Sequence, residues 1–300
     1  MKWLMKKLNL QRKINKKIVL PDPLEGIISS PFIALLGAKK KNIRADLCVG
    51  QPDFDVPNIV KNEAIKMIRS GFNRYTATQG IKALRDKISE KLRRENNISI
   101  SSDNILVTTG TTGAILLLYL TLLREGDEVI ISSPYFPVYV DLLPITGAKA
   151  RIVRTDNEHQ LDIEAIKRAI NHHTKLIVMN SPNNPTGAVY SLNSIRQIVA
   201  LAKSKNIPIL SDEIYEIFNY ERKHISPASL YNNVFTLNGF SKTYGMTGWR
   251  IGYIAGPEKA IKRMSALNLY SFVCAPSFAQ YAACKALELK TTKTLTDCKL

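Results

Sequence analysis

Lys242 stands in the run GFSKTYGMTGWR, residues 239–250, among small residues and eight positions before Arg250. With 42 Lys and Arg in the chain, the ordinary reading of any one lysine is a hydrated surface charge. The company of Lys242 changes that reading. An amine that attacks a carbonyl must spend part of its time unprotonated, and a desolvated, cation-rich site lowers its pKa. Arg250 supplies the positive neighbour and carries a fork of donors suited to a phosphate. Asp212 closes the apolar run 207–210. The plain reading is a carboxylate at a strand end. The chemical reading is a fixed anion that keeps a pyridine-type nitrogen protonated, so that the ring accepts electrons from a carbanion. Tyr215, three residues on, reaches for an oxygen of the same ring.

In SPNNPTG, residues 181–187, Pro182 and Pro185 stiffen a loop and Gly187 permits the turn that presents Asn184 inward. An asparagine amide donates to a ring oxygen without adding charge. The run TGTTGA, residues 109–114, opens a helix whose free amides, with the hydroxyls of Thr111 and Thr112, suit a phosphate. Its glycines lack the G-x-G-x-x-G spacing, which disfavours a nicotinamide cofactor. Phe136, in SPYFP, is placed to stack on a ring; its plainer reading is core packing.

These residues need a scaffold that brings them to one place. Short apolar runs at 104–108, 127–132, 148–154, 175–180, 207–212, 234–238 and 250–256 suit strands buried on both faces. Helical spacing at 111–123, 162–171 and 191–205 separates them, preceded by helices from Pro57, with Asp55 as cap and Gly71 as stop, and over 80–95. Ile59, Val60, Ala64, Met67 and Ile68 are expected to share the buried face of the first. The alternation predicts an α/β fold with a mainly parallel central sheet and helices on both faces. Ligands sit beyond the carboxyl ends of such strands. The polar clusters at 108–113, 132–136, 180–187, 211–215 and 238–245 all follow strands there.

Taken together, NNPTG, SDEIY and SKTYGMTGWRIGY resemble the class I/II aminotransferases of fold-type I, in the aspartate and related amino acid subgroup, over residues 45–290. The resemblance implies pyridoxal 5'-phosphate (PLP) as cofactor. Lys242 then matches the lysine that holds it as an internal aldimine and shuttles a proton, and Asp212 matches the partner of the ring nitrogen. Asn184 and Tyr215 match the pair on the phenolic oxygen, and Thr111, Thr112, Ser241 and Arg250 lie at the phosphate. Phe136 takes the stacking position, and Gly50, with Phe136 and Asn184, lies beside the bound substrate. Tyr75 matches a tyrosine that reaches the neighbouring subunit's phosphate, which implies a homodimer with shared sites. Gly239 stands where some relatives carry a hydroxyl. The implied reaction is ping-pong transamination between an L-amino acid, aspartate or a related one, and a 2-oxo acid.

The implied domain plan is a basic arm and linker over 1–45, with a short helical stretch at 31–38, a PLP-binding large domain over 46–290, and an irregular tail over 291–300. Relatives continue into a small lobe of roughly 100 residues, an ordinary domain size. That lobe carries the arginine for the substrate carboxylate, so cofactor binding is expected to survive better than turnover. Two alternatives stand beside full transamination: a weak or inactive PLP-binding relative, and a basic binding protein on this scaffold. Other PLP chemistry, such as β-elimination, also suits the fold.

The net charge is +17, and seven of the excess charges fall within residues 1–17, where no acid stands. The rest is spread without aromatic interleaving, which speaks for solvated surface over a nucleic-acid site. Four cysteines, Cys48, Cys274, Cys284 and Cys298, follow no metal spacing and suit a reducing, cytoplasmic setting. No apolar stretch suits a signal peptide or a membrane span.

Overall fold

The computed structural model describes residues 50–220 and 223–289. The expected arm, the helical stretch at 31–38, the tail, Cys48 and Cys298 lie outside them. In chain order the elements are α1 (Asn58–Arg69), α2 (Lys82–Asn96), β1 (Ile105–Thr108), α3 (Gly110–Leu122), β2 (Glu128–Ser133), α4 (Val138–Asp141), β3 (Lys149–Arg154), α5 (Ile163–Ala169), β4 (Thr174–Asn180), α6 (Leu192–Lys205), β5 (Ile209–Asp212), β6 (Val234–Gly239), β7 (Gly252–Ala255), α7 (Glu258–Ser271) and α8 (Ser277–Ala286).

The strands form one sheet in the order β1-β7-β6-β5-β4-β2-β3. Their continuous apolar runs follow from burial on both faces, because successive side chains point to opposite sides. On β4, Leu176 and Val178 pack into the core with α3 residues Leu117 and Leu118, while Ile177 and Met179 pack into a second core with α6 residues Ile195 and Ile198. A third cluster joins α1, α2 and α8 to β1 and β7 through Val60, Leu84, Ile88, Ile105, Tyr253 and Ala279. Helix α3 is apolar around much of its surface, with Ile115, Leu117, Leu118 and Tyr119 all buried.

The pairs β2–β3, β2–β4, β4–β5 and β5–β6 are parallel, as expected for the sheet as a whole. Strand β7 lies antiparallel between β1 and β6, so β1 runs in the direction of β6. Strand periodicity carries no information about direction, and this reversal was not legible in the residues.

Three local expectations are corrected. Strand β3 is an edge strand, mostly exposed, with Val153 its one buried residue. On α1 only Val60, Ala64 and Met67 are buried; Ile59 and Ile68 face outward at 46% and 45% exposure. Asp55 does not cap that helix: its carboxylate accepts from its neighbour's Val56 N–H at 2.6 Å and from Lys61 Nζ at 2.7 Å, and Pro57 holds the N-cap position.

Candidate active site

Because β1, β2, β4, β5 and β6 run the same way, their C-terminal ends share one edge, and the reversed β7 brings its N-terminal end there as well. Arg250 precedes its strand, whereas Thr111, Thr112, Phe136, Asn184, Asp212, Tyr215, Ser241 and Lys242 end or follow theirs, and the reversal puts them together. They line one cavity of about 930 Å³, within the range of small-molecule sites.

Strand β5 carries Asp212 into the cavity wall at 4% exposure. Tyr139 Oη donates to its Oδ2 at 2.8 Å and the Ile214 N–H to its Oδ1 at 3.1 Å. Burial pushes its carboxyl up to about 6, against the pull of those two donors; adjacent Glu213 adds to the rise and Lys242 opposes it. A positively charged nitrogen beside this carboxylate would favour its ionised form and lower its pKa again.

The loop after β6 is anchored by Phe240, whose carbonyl accepts from the Tyr244 and Met246 N–H groups, both at 3.3 Å. It carries Ser241 and Lys242 into the cavity. The Lys242 amine donates to the Gly50 carbonyl and lies 5.9 Å from the centre of the Tyr215 ring. Desolvation first, and then the Arg250 charge, lower the lysine's pKa, with Asp212 opposing. The direction is the one a nucleophilic amine requires.

Asn184 Nδ2 donates to Tyr215 Oη at 3.3 Å, so the two form a polar pair. Asn180, at the end of β4, ties the Asn184 loop to the end of β5: its Oδ1 accepts the Asn184 N–H at 2.7 Å and its Nδ2 donates to the Asp212 carbonyl at 3.1 Å. Burial, then Asp212, push the Tyr215 hydroxyl up to about 12, with Asn184 opposing.

Opposite these stands the start of α3. Helices α5 and α6 are capped by Asp162 and Ser191, but α3 has no side-chain cap, and Thr111 and Thr112 of its first turn face the cavity. A helix start without a side-chain cap, facing a cavity, is suited to an anion. The Arg250 guanidinium packs on the same turn: a Cβ built on Gly110 would meet its Nη2 at 2.6 Å. A Thr247 carbonyl accepts from Arg250 Nη1 at 2.9 Å and steadies it.

Of the remaining candidates, Gly50 and Phe136 line the cavity, and the Phe136 ring meets Tyr139 edge-on at 6.0 Å. Gly239 pairs with Gly252 across β6 and β7, where a Cβ on Gly239 would lie 3.0 Å from the Gly252 Cα. A hydroxyl side chain there would need the strands to part slightly. Tyr75 is not brought into the cavity of its own chain; it is 83% exposed. Sequence reasoning missed Tyr139 and Asn180. Tyr139 follows Phe136 by one helical turn in FPVYV, the one local sign that both face the same way.

The donor set fits a phosphorylated pyridine aldehyde: an anion cradle, an amide–phenol pair, a buried carboxylate for a ring cation and a low-pKa amine, all on one cavity. The chain belongs to the family described as aminotransferase class I and II, whose profile matches residues 43–295. A probable aspartate aminotransferase of Methanocaldococcus jannaschii is 40% identical over 248 residues, 81% of this chain and 66% of that protein. A probable aspartate/prephenate aminotransferase of Aquifex aeolicus is 40% identical over 281 residues, 89% of this chain and 71% of that protein. Among solved structures, the aspartate aminotransferase from Thermus thermophilus with maleate superposes with a TM-score of 0.81 at 38% identity, over 84% of this chain and 67% of that one. The chain thus spans about two thirds of the length of these relatives. Among its described residues no helix is long and apolar enough to cross a membrane.

Proposed function

We propose that this chain binds PLP through Lys242 and serves a ping-pong transamination between an L-amino acid, aspartate or a related one, and a 2-oxo acid. The observation that carries the reading is the joint placement of the Lys242 amine and the buried Asp212 carboxylate on the wall of one cavity. When bound, PLP supplies a carbonyl for imine exchange and an electron sink for the substrate carbanion. The α3 N-terminus, Thr111, Thr112, Ser241 and Arg250 hold the phosphate. Asp212 holds a proton on the ring nitrogen, and Tyr139 and the Ile214 amide keep that carboxylate aimed. Asn184 and Tyr215 would orient the ring oxygen, and Phe136 would supply an aromatic surface against the ring. Lys242 would hold the cofactor through its amine, and its Nζ would be the base that accepts and returns the substrate α-proton.

The names of the relatives support aspartate-type substrates, and exposed Tyr75 suits a homodimer in which each subunit completes its neighbour's site. Cys274 and Cys284 are free thiols, in keeping with a reducing, cytoplasmic setting. The domain plan, with residues 46–290 as one PLP-binding domain, is part of the same proposal.

The test is an absorbance spectrum with added PLP, followed by borohydride reduction and peptide mapping. Label on Lys242 and a band that shifts with aspartate support the reading. No imine band, or label on other lysines that persists in Lys242→Ala, defeats it.

A further inference from the structure

Behind the cavity wall lies a second set of charges that the proposed chemistry does not use. In the run DEIYE, residues 212–216, side chains part to two sides: Asp212 and Tyr215 face the cavity, whereas Glu213 is fully buried and Glu216 nearly so away from it. Glu213 Oε1 accepts from the hydroxyls of Ser211, at 2.8 Å, and Ser226; its Oε2 meets His224 Nε2 at 2.9 Å. Glu216 Oε1 accepts from Lys91 Nζ and, at 2.8 Å, from Asn238 Nδ2; its Oε2 accepts from Asn96 Nδ2 at 2.7 Å. Lys91 also donates to Asn96 Oδ1 at 2.8 Å.

This network ties α2, through Lys91 and Asn96, to β6, through Asn238, and to the segment at 224–226, with residues 212–216 at its centre. Glu213, Glu216 and His224 place ligand atoms within 4.8 Å of one another, but the Lys91 ammonium already supplies the cation there. Burial works to raise the Glu216 carboxyl, yet Lys91 and then His224 hold it below the usual range. Burial likewise works to lower His224, and Glu213 overrides it, so the imidazole is raised and charged below its shifted pKa. With His224 charged, two carboxylates face two cations. Tyr244 and Tyr253 stand near, both with hydroxyls raised by burial and therefore neutral. Glu95 lies 3.8 Å from Lys91.

A buried ion pair contributes little net stability, yet removing one partner leaves an uncompensated charge. Such a network is suited to fixing one geometry. We propose that Glu213, Glu216, Lys91 and His224 are positioning residues that clamp segment 212–216 from behind and so hold Asp212 and Tyr215 in the alignment the cofactor ring requires. The proposal rests on the PLP reading above. It also explains why one short segment carries both cavity residues and the most heavily bonded buried carboxylates among the described residues.

The test compares wild type with Glu216→Gln, Lys91→Met and the double variant, reading PLP affinity and the visible circular dichroism of bound PLP, which reports ring orientation. Each single variant is expected to weaken PLP about tenfold, the size of a coupling within one network, and to lower the dichroism per PLP attached at Lys242. The double variant, with no orphaned charge, is expected to recover most of both. Single variants with wild-type dichroism and affinity overturn the proposal, and so does a double variant no better than the singles. Should the singles fail to fold, Ser226→Ala and Asn238→Ala each remove one neutral donor; unchanged dichroism in both overturns it too. Failure of the wild type itself to retain PLP is separate, and overturns the parent reading and this one with it.

Discussion

Replacing Gly110 with alanine isolates the proposed phosphate cradle from the rest of the site. Gly110 has φ +69°, and a Cβ there would lie 2.6 Å from Arg250 Nη2 and 3.1 Å from its Cζ. An L-residue in the left-handed region costs about 1–2 kcal/mol of stability. The contact must also relax, and the movable partner is the guanidinium, which retreats from the α3 N-terminus and strains its bond to the Thr247 carbonyl. If that removes one charge-assisted bond to the phosphate, worth about 1.5–3 kcal/mol, PLP binds roughly 10- to 100-fold more weakly. The assay is a titration with PLP and, in parallel, with pyridoxal, which has the same ring and aldehyde but no phosphate. The loss is expected for PLP alone, with the unfolding midpoint lowered modestly. Equal loss for both ligands would mean that the substitution damages the ring site, and no loss for either would mean that Arg250 does not hold the phosphate. Either result refutes the reasoning.

Three further outcomes are expected. Asp212 has a folded pKa of about 6 against an ordinary 3.8, so the folded state binds the extra proton between these values and cofactor-free stability falls as pH rises through that window. Asp212→Asn removes this pH dependence, stabilises the cofactor-free protein above the window by on the order of 3 kcal/mol, and weakens PLP; denaturant unfolding on either side of the window checks the sign. Thr112→Val deletes a hydroxyl at nearly constant shape and should weaken PLP by about 1 kcal/mol while sparing pyridoxal, as read by the same titration. Mixing Tyr75→Ala with Lys242→Ala should give more activity than the two show separately, since one site of the mixed dimer has both native residues; a mixture no more active than its parts removes the shared-site reading.

Most of the candidate residues that line the cavity were legible in the chain because they sit within a few positions of a strand end, where local spacing already says which side of a turn they occupy. The apolar runs at β4, β5 and β6 gave the buried strands for the same reason: two-sided burial leaves no room for polar alternation. Helices α3, α5 and α6 were marked by period and length, and their ends fell within a residue or two of expectation. At the β3 edge and on the outer face of α1 the pattern misled, since apolar residues there lack a covering neighbour among the described residues.

What the tertiary structure alone decided is direction and partnership across long separations. Strand β7 reads as a strand in either sense, and only its antiparallel insertion between β1 and β6 carries Arg250 to the edge where Gly110 and Lys242 stand. Tyr139 and Asp212, 73 residues apart, meet because β5 lies two strands from β2, an order no local pattern encodes. Glu213 and Glu216 look like surface acids until Lys91, His224 and Asn238 arrive from three other segments to surround them. The chain by itself determined which groups are available and the period of their backbone. Packing determined which are desolvated and what they face, and those two quantities set their pKa values and hence their chemistry.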